Sequence, residues 1–139
     1  MTSKIVYDMN TIKFISAFQS LTKTTVRDCI SAENSLLFIV SEGELGRAIG
    51  KQASNVKRLA NAFKRKIKIV EFSADLLTFI KNIAQPMGIA KIEEKEGTVF
   101  ITAPDLQTRG YLIGRGGSAL RQMEEIVKRH FDIKEIKVL

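Results

Sequence analysis

The chain has 139 residues, 45% hydrophobic and 27% charged, a balance that argues against a disordered segment and supplies apolar material for a core. Twenty-two Lys and Arg against fifteen Asp and Glu leave a formal charge of +7, which favours polyanionic partners such as nucleic acid. The longest purely apolar stretch, residues 36–40, is too short to cross a bilayer, and residues 1–8 lack the apolar run of a leader, so a cytoplasmic protein with no membrane partner is expected.

Asp8 or Asn10 can cap a first helix that carries Ile12, Ile15, Phe18 and Leu21 on one side. Two strands follow over residues 25–30 and 35–40, joined by a turn at Ala32-Glu33-Asn34. Cys29, the one cysteine, falls in the first strand and is expected to be a buried thiol. A short helix over 44–49 leads into Gly50-Lys51-Gln52-Ala53, after which Val56, Leu59, Ala60 and Phe63 recur on one helical face. A strand over 67–72 closes the run.

The pattern then begins again. A helix starting near Ser73 carries Leu76, Ile80 and Ile83 and is stopped by Pro86. Strands over 89–93 and 98–102 turn around Glu96-Gly97, and a helix over 106–113 leads into Gly114-Arg115-Gly116-Gly117. A further helix carries Leu120, Met123 and Val127, and a strand over 135–139 ends the chain. The order, helix–strand–strand–helix–loop–helix–strand, is that of an α+β unit with helices on one side of a three-stranded sheet.

Residues 48–56 and 112–120 align without a gap at an offset of 64, with Leu59 matching Met123, Phe63 matching Val127 and Ile69 matching Ile133. Upstream, residues 37–40 match 99–102 at an offset of 62. One supersecondary unit is therefore written twice, as domains 1–72 and 73–139. Each is small for an independent core, and the join at Phe72-Ser73 has no Gly- or Pro-rich linker, so a fixed mutual orientation is expected.

A four-residue turn between helices that opens on glycine lets the backbone reverse quickly and lets another backbone approach. The helix that follows directs unpaired N–H groups and its positive dipole end at the turn, an arrangement suited to phosphate. Lys51 and Arg115 add a cation in each copy. A nucleotide-binding P-loop is excluded: only three residues separate Gly46 from Gly50, and Gln52 stands where Ser or Thr would hold magnesium. Gly114-Arg115-Gly116-Gly117-Ser118-Ala119 fits a dinucleotide-binding spacing, but that motif must follow a strand, and here a helix precedes it.

The remaining reading is I-G-x-x-G between two helices with an aliphatic residue beyond, which resembles the RNA-clamping loop of the KH family. The second copy satisfies it with Ile113, Gly114, Arg115, Gly116, Gly117 and Leu120; the first has Ile49, Gly50, Lys51, Gln52 and Val56, with Ala53 in place of the closing glycine. Ile49, Val56, Ile113 and Leu120 are expected chiefly in the core and at the floor of a base-binding groove. Glycine needed for the turn's geometry alone is the competing explanation of both loops.

Charge is divided unevenly. Residues 1–72 hold 12 basic and 6 acidic residues, and residues 73–139 hold 10 and 9. The more basic copy therefore has the less regular loop, and general attraction from the first copy with a better-formed clamp in the second is expected. Lys64-Arg65-Lys66 at a helix end can serve phosphate or the helix dipole. His130 lies beside Lys128 and Arg129 as a helix-end residue, and no His/Cys cluster or acid pair suggests a catalytic, cofactor or metal site or a small-molecule substrate.

Gly43-Glu44-Leu45-Gly46-Arg47-Ala48-Ile49-Gly50-Lys51, Ser54 to Leu59, Phe79 to Ile83 and the second Ile-Gly-Arg-Gly-Gly loop resemble the archaeal NusA proteins over nearly the whole chain. The resemblance implies two type II KH domains and a transcription elongation, termination or antitermination factor that grips single-stranded RNA, with the RNA polymerase elongation complex as a candidate partner. The amino-terminal polymerase-binding domain and the OB-fold domain of bacterial relatives have no counterpart in these residues.

The RNA-contacting set expected is Gly50, Lys51, Gln52, Ala53, Val56 and Lys57 in the first copy and Gly114, Arg115, Gly116, Gly117, Leu120 and Arg121 in the second. Aromatic stacking is a minor expectation, with Tyr7, Tyr111 and eight Phe available and most Phe reading as core. The rival readings are a duplex-DNA binder, a KH-fold scaffold in ribosome assembly or RNA processing, and an enzyme.

Overall fold

A computed structural model describes residues 5–139, and the reading of residues 1–4 falls outside them. The chain divides into two compact units, Val6–Ser73 and Ala74–Leu139.

In the first unit, α1 (Met9–Thr22) starts on Asp8, whose carboxylate accepts the Thr11 N–H at 2.8 Å. Its inward stripe runs through Thr11, Phe14, Ile15, Phe18, Leu21 and Thr22. Ile12, expected on that stripe, is 48% exposed, because it lies one position off the i, i+4, i+7 row that Phe18 sets.

Next, β1 (Val26–Ser31) and β2 (Ser35–Val40) form an antiparallel hairpin, and β3 (Lys66–Glu71) lies parallel to β2 on its other side. A parallel neighbour needs a crossover connection. Here it is α2 (Leu45–Ile49), the glycine loop and α3 (Ser54–Phe63).

Leu36, Phe38 and Val40 alternate along β2 toward the helices and pack with Cys29, Phe18, Ala48 and Leu59. The rings of Phe18 and Phe38 stack 4.2 Å apart. Burying one such side chain contributes about 1.5–3 kcal/mol. Asp28 is fully buried in β1, where it accepts the Tyr7 hydroxyl at 2.7 Å and the Cys29 N–H at 2.8 Å.

The second unit repeats the order: α4 (Leu76–Ala84), β4 (Lys91–Lys95), β5 (Thr98–Thr102), α5 (Leu106–Ile113), α6 (Ser118–Lys128) and β6 (Glu135–Val138). Again β5 is central, antiparallel to β4 and parallel to β6. Val99, Ile101, Leu112, Met123, Ile126, Val127, Ile136 and Val138 are buried. His130, just past α6, meets the Phe79 ring edge-on at 5.7 Å, as befits a helix-end residue.

Several boundaries differ from expectation. The fourth helix begins at Leu76 rather than near Ser73, because Asp75 caps it by accepting the Thr78 N–H at 3.0 Å. The fourth strand is displaced from 89–93 to Lys91–Lys95, because Glu96 and Gly97 both take positive φ (52° and 85°) and make a two-residue turn that pairs Lys95 directly with Thr98.

The register of the repeat also differs. Ser35 pairs with Lys66 as Thr98 pairs with Glu135, so 35 corresponds to 98, an offset of 63 rather than 62. A one-residue slip would exchange the two faces of the strand. Ile69 pairs with Phe38, and its counterpart opposite Ile101 is Val138, not Ile133. Residues 129–134 cause this, a longer passage from α6 to β6 that opens with the Phe131 N–H donating to the Val127 carbonyl at 2.9 Å.

Three helices begin on aspartate, and each carboxyl is held below its ordinary pKa of 3.8. At Asp8 and Asp105 the largest cause is the N–H donated by Thr11 and Thr108, and at Asp75 it is the Thr78 hydroxyl. A depressed folded-state pKa contributes stability that is complete above about pH 5 and is lost as pH falls through the folded values. Melting temperature should therefore decline from pH 5 to pH 3, and the triple variant Asp8→Asn, Asp75→Asn, Asp105→Asn should show a shallower decline. An equally steep decline in the variant would assign the acid sensitivity to other carboxylates.

Candidate RNA-binding loops

In each unit the crossover between the two parallel strands is broken by a four-residue turn. Its first residue, Gly50 (φ 81°, ψ 168°) or Gly114 (φ 74°, ψ 174°), occupies a backbone region confined to glycine. A Cβ at Gly50 would lie 2.8 Å from Ser54 Oγ, and one at Gly114 would lie 2.7 Å from the Ala119 backbone nitrogen. The preceding helix closes onto this residue, Gly50 N–H donating to the Gly46 carbonyl at 3.0 Å and Gly114 N–H to the Gly110 carbonyl at 2.8 Å. These two glycines therefore serve geometry.

A single tight turn follows, Lys51–Ala53 or Arg115–Gly117, closed by Ala53 N–H to the Gly50 carbonyl and Gly117 N–H to the Gly114 carbonyl, both at 3.1 Å. Its last two residues are left-handed in both units. Gln52 (55°, 34°) matches Gly116 (61°, 20°), and Ala53 (60°, 29°) stays close to Gly117 (80°, 11°). Ala53 thus does not alter the course of the first loop. The left-handed region costs a non-glycine residue about 1–2 kcal/mol, and the first unit sustains that at two successive positions.

The loops are held differently. In the first, the Asn55 side-chain amide donates to the Arg47 carbonyl at 3.1 Å, tying α3 to the end of α2. In the second, position 119 is alanine, and Arg121 Nη1 donates to the Gly116 carbonyl at 2.7 Å. Asn55 was not among the residues picked out by sequence; its signal is an amide at the second position of a helix that follows a glycine turn.

The helices behind the loops differ from α1, α4 and α5. Neither α3 nor α6 has a side-chain cap; they begin behind Ala53 and Gly117, where the others begin behind aspartate. The Ser54 and Ser118 N–H groups close onto the Lys51 and Arg115 carbonyls, and the positive dipole ends behind them face the turn without a carboxylate to neutralise them.

Lys51, Gln52 and Lys57 are exposed beside the first loop, as are Arg115, Gly116 and Arg121 beside the second. Ile49, Val56, Ile113 and Leu120 are half-buried rather than in the core. The core positions lie one turn further along each helix, at Leu59 and Met123. Val56 and Leu120 therefore keep an apolar surface next to each loop.

Arg65 is drawn away from any such role. Its Nη1 donates to Ser31 Oγ at 2.7 Å and to the Ala32 carbonyl at 3.2 Å, and its guanidinium lies over the Phe14 ring. It follows the far end of α3, about 15 Å along the helix from the loop. Tyr111, by contrast, is 58% exposed on α5, just ahead of the second loop. Among the described residues no group of three or more His, Cys, Asp or Glu could hold a metal ion, and no helix is long and apolar enough to cross a membrane.

A KH domain family model matches residues 15–74, the unit whose loop closes on Ala53. The probable transcription termination protein NusA of Methanococcus vannielii is 33% identical over 98% of this chain and 80% of its own length. The chain belongs to the archaeal NusA family. The NusA relative from Methanocaldococcus jannaschii is also 33% identical, over 99% of this chain and 76% of its own. Among solved structures, the crystal structure of APE1850 superposes with a TM-score of 0.75 at 32% identity, covering 96% of this chain and all of that one. Each unit has the α-β-β-α-α-β order expected of a type II KH domain, so this member of the NusA family is α+β with two of them.

Because Ala53 keeps the left-handed geometry against its own preference, Ala53→Gly should stabilise the protein by about 0.5–1 kcal/mol in denaturant unfolding. Gly114→Ala should destabilise it by more than that, since its Cβ meets backbone. Equal midpoints for Gly114→Ala and the parent would show that the turn does not require glycine.

Proposed function

We propose that this chain is a single-stranded RNA-binding transcription termination and antitermination factor of the cytoplasm, without catalytic activity, in which residues 1–72 and 73–139 each contribute one loop. The observation that carries the reading is the same turn made twice, each time ahead of a helix left without an acidic cap and beside an exposed Lys or Arg. That combination provides backbone N–H donors, a dipole and an exposed cation for phosphate. The half-buried Val56 and Leu120 offer bases an apolar surface beside it. Family membership supports the reading independently, because the relatives bear the name transcription termination protein. RNA polymerase, as the source of the transcript, is the partner this role implies.

The first unit would supply more of the electrostatic attraction. No acidic residue occurs in α3, and Lys57, Arg58 and Lys64 are all exposed on it or at its end. Affinity for single strands falls with salt by about 0.7 log units per log unit for each phosphate neutralised. Replacing these three with Gln should flatten that slope, by about 2 if all three touch phosphate; an unchanged slope would remove α3 from the phosphate track.

The test of the function is a fluorescence-anisotropy titration of short single-stranded RNA and duplex DNA across a salt series, with the parent and an Arg115→Asp, Gly116→Asp variant. A Cβ at Gly116 meets nothing within 4 Å, and Asp bears its left-handed backbone at less cost than most residues, so the variant is compared with the parent after its fold is checked by circular dichroism. A preference for single-stranded RNA with at least about tenfold weaker binding by the variant, ~1.4 kcal/mol, is expected. A preference for duplex, or equal binding by a folded variant, would set this reading aside.

A further inference from the structure

The two loops share a backbone but not a composition, and the difference is coupled to one side chain. The second loop has glycine at 114, 116 and 117, and at the last two of these the first loop carries Gln52 and Ala53 in the same left-handed geometry. Three glycines in four residues also leave a chain with many accessible conformations. In the free protein something must select the ordered turn.

Arg121 is placed to do so. Its guanidinium reaches back along α6 and donates to the Gly116 carbonyl at 2.7 Å, next to the Arg115 carbonyl that accepts the Ser118 N–H. To get there it passes over Gly117, where a Cβ would stand 3.0 Å from Nη1. At the corresponding place in the first unit, Lys57 follows Ala53 by the same four residues. A lysine has no planar fork, and there Asn55 braces the turn instead. Gly117 with Arg121, and Ala53 with Lys57, are thus two matched pairs.

We infer that Arg121 is a positioning residue that clasps the second loop in its binding conformation before RNA arrives, and that Gly117 is glycine to admit this guanidinium. The inference rests on the RNA-binding reading for its consequence but not for its structural content. A guanidinium has five N–H donors, so the clasp leaves others, and the full charge, directed at the solvent beside the loop. Ordering the turn in advance reduces the entropy that binding must otherwise overcome.

The test uses the full chain with Arg121→Lys, which keeps the charge and loses the fork; Gly117→Ala, which keeps the arginine and crowds its Nη1 at 3.0 Å; and the double variant. In the free proteins, backbone 15N order parameters at Arg115–Gly117 should fall in all three variants while those at Lys51–Ala53 stay as in the parent. Against single-stranded RNA, each variant should bind about threefold to tenfold more weakly than the parent with the salt slope unchanged. The double variant should be no weaker than either single one, because both remove the same contact. Parent-like order parameters in Arg121→Lys overturn the clasp, as does additive loss in the double variant. If the parent itself binds no single-stranded RNA, the functional reading fails, and the order parameters still decide whether the clasp exists.

Discussion

At Gly50 and Gly114 the chain leaves one helix and enters the next through a conformation that only glycine adopts, with no room for a Cβ against the residues four and five further on. The rest of each unit depends on that turn. It lets the two helices of the crossover sit side by side over one face of the sheet, which in turn lets β3 and β6 run parallel to their central strands. It also points the start of the second helix outward behind a turn too short to cover it. The fold requirement and the proposed phosphate binding thus have one origin, the absent side chain at the first position of the loop.

Given that common turn, the two units spend their remaining sequence differently. The first keeps Gln52 and Ala53 at strained positions, ties the turn with Asn55, and carries most of the chain's excess positive charge. The second relaxes the strain with Gly116 and Gly117, fixes the turn with Arg121, and is nearly neutral. Stiff residues need one brace at the helix end, whereas flexible ones need a bond to the loop itself. A chain that met a long polyanion with both would combine broad attraction with one closely shaped contact.

Much of this was legible because the signals were local. Asp8 as a cap, Glu96-Gly97 as a turn, Pro86 as a stop, and the glycine loops between apolar helical stripes all act through neighbours a few residues away. What sequence misplaced depended on distant partners. The register of the third strands was hidden by residues 129–134, a passage with no Gly or Pro to mark it. Arg65 read as a helix-end cation, and only the hairpin from 31 to 32 shows where it is held. Ala53 read as a defect in the first loop, yet a left-handed alanine can be kept by contacts elsewhere, here the Asn55 tether.

The measurement that bears most directly on the central claim is an amide NMR titration of the full chain with a short single-stranded RNA at low salt. If both turns serve the same purpose, the amides of Gly50–Ser54 and of Gly114–Ser118 should shift together and saturate, with small changes at the Asp-capped starts of α1, α4 and α5. Shifts confined to other surfaces, with both turns silent, would show that the glycines serve the fold alone and that RNA, if bound, is held elsewhere.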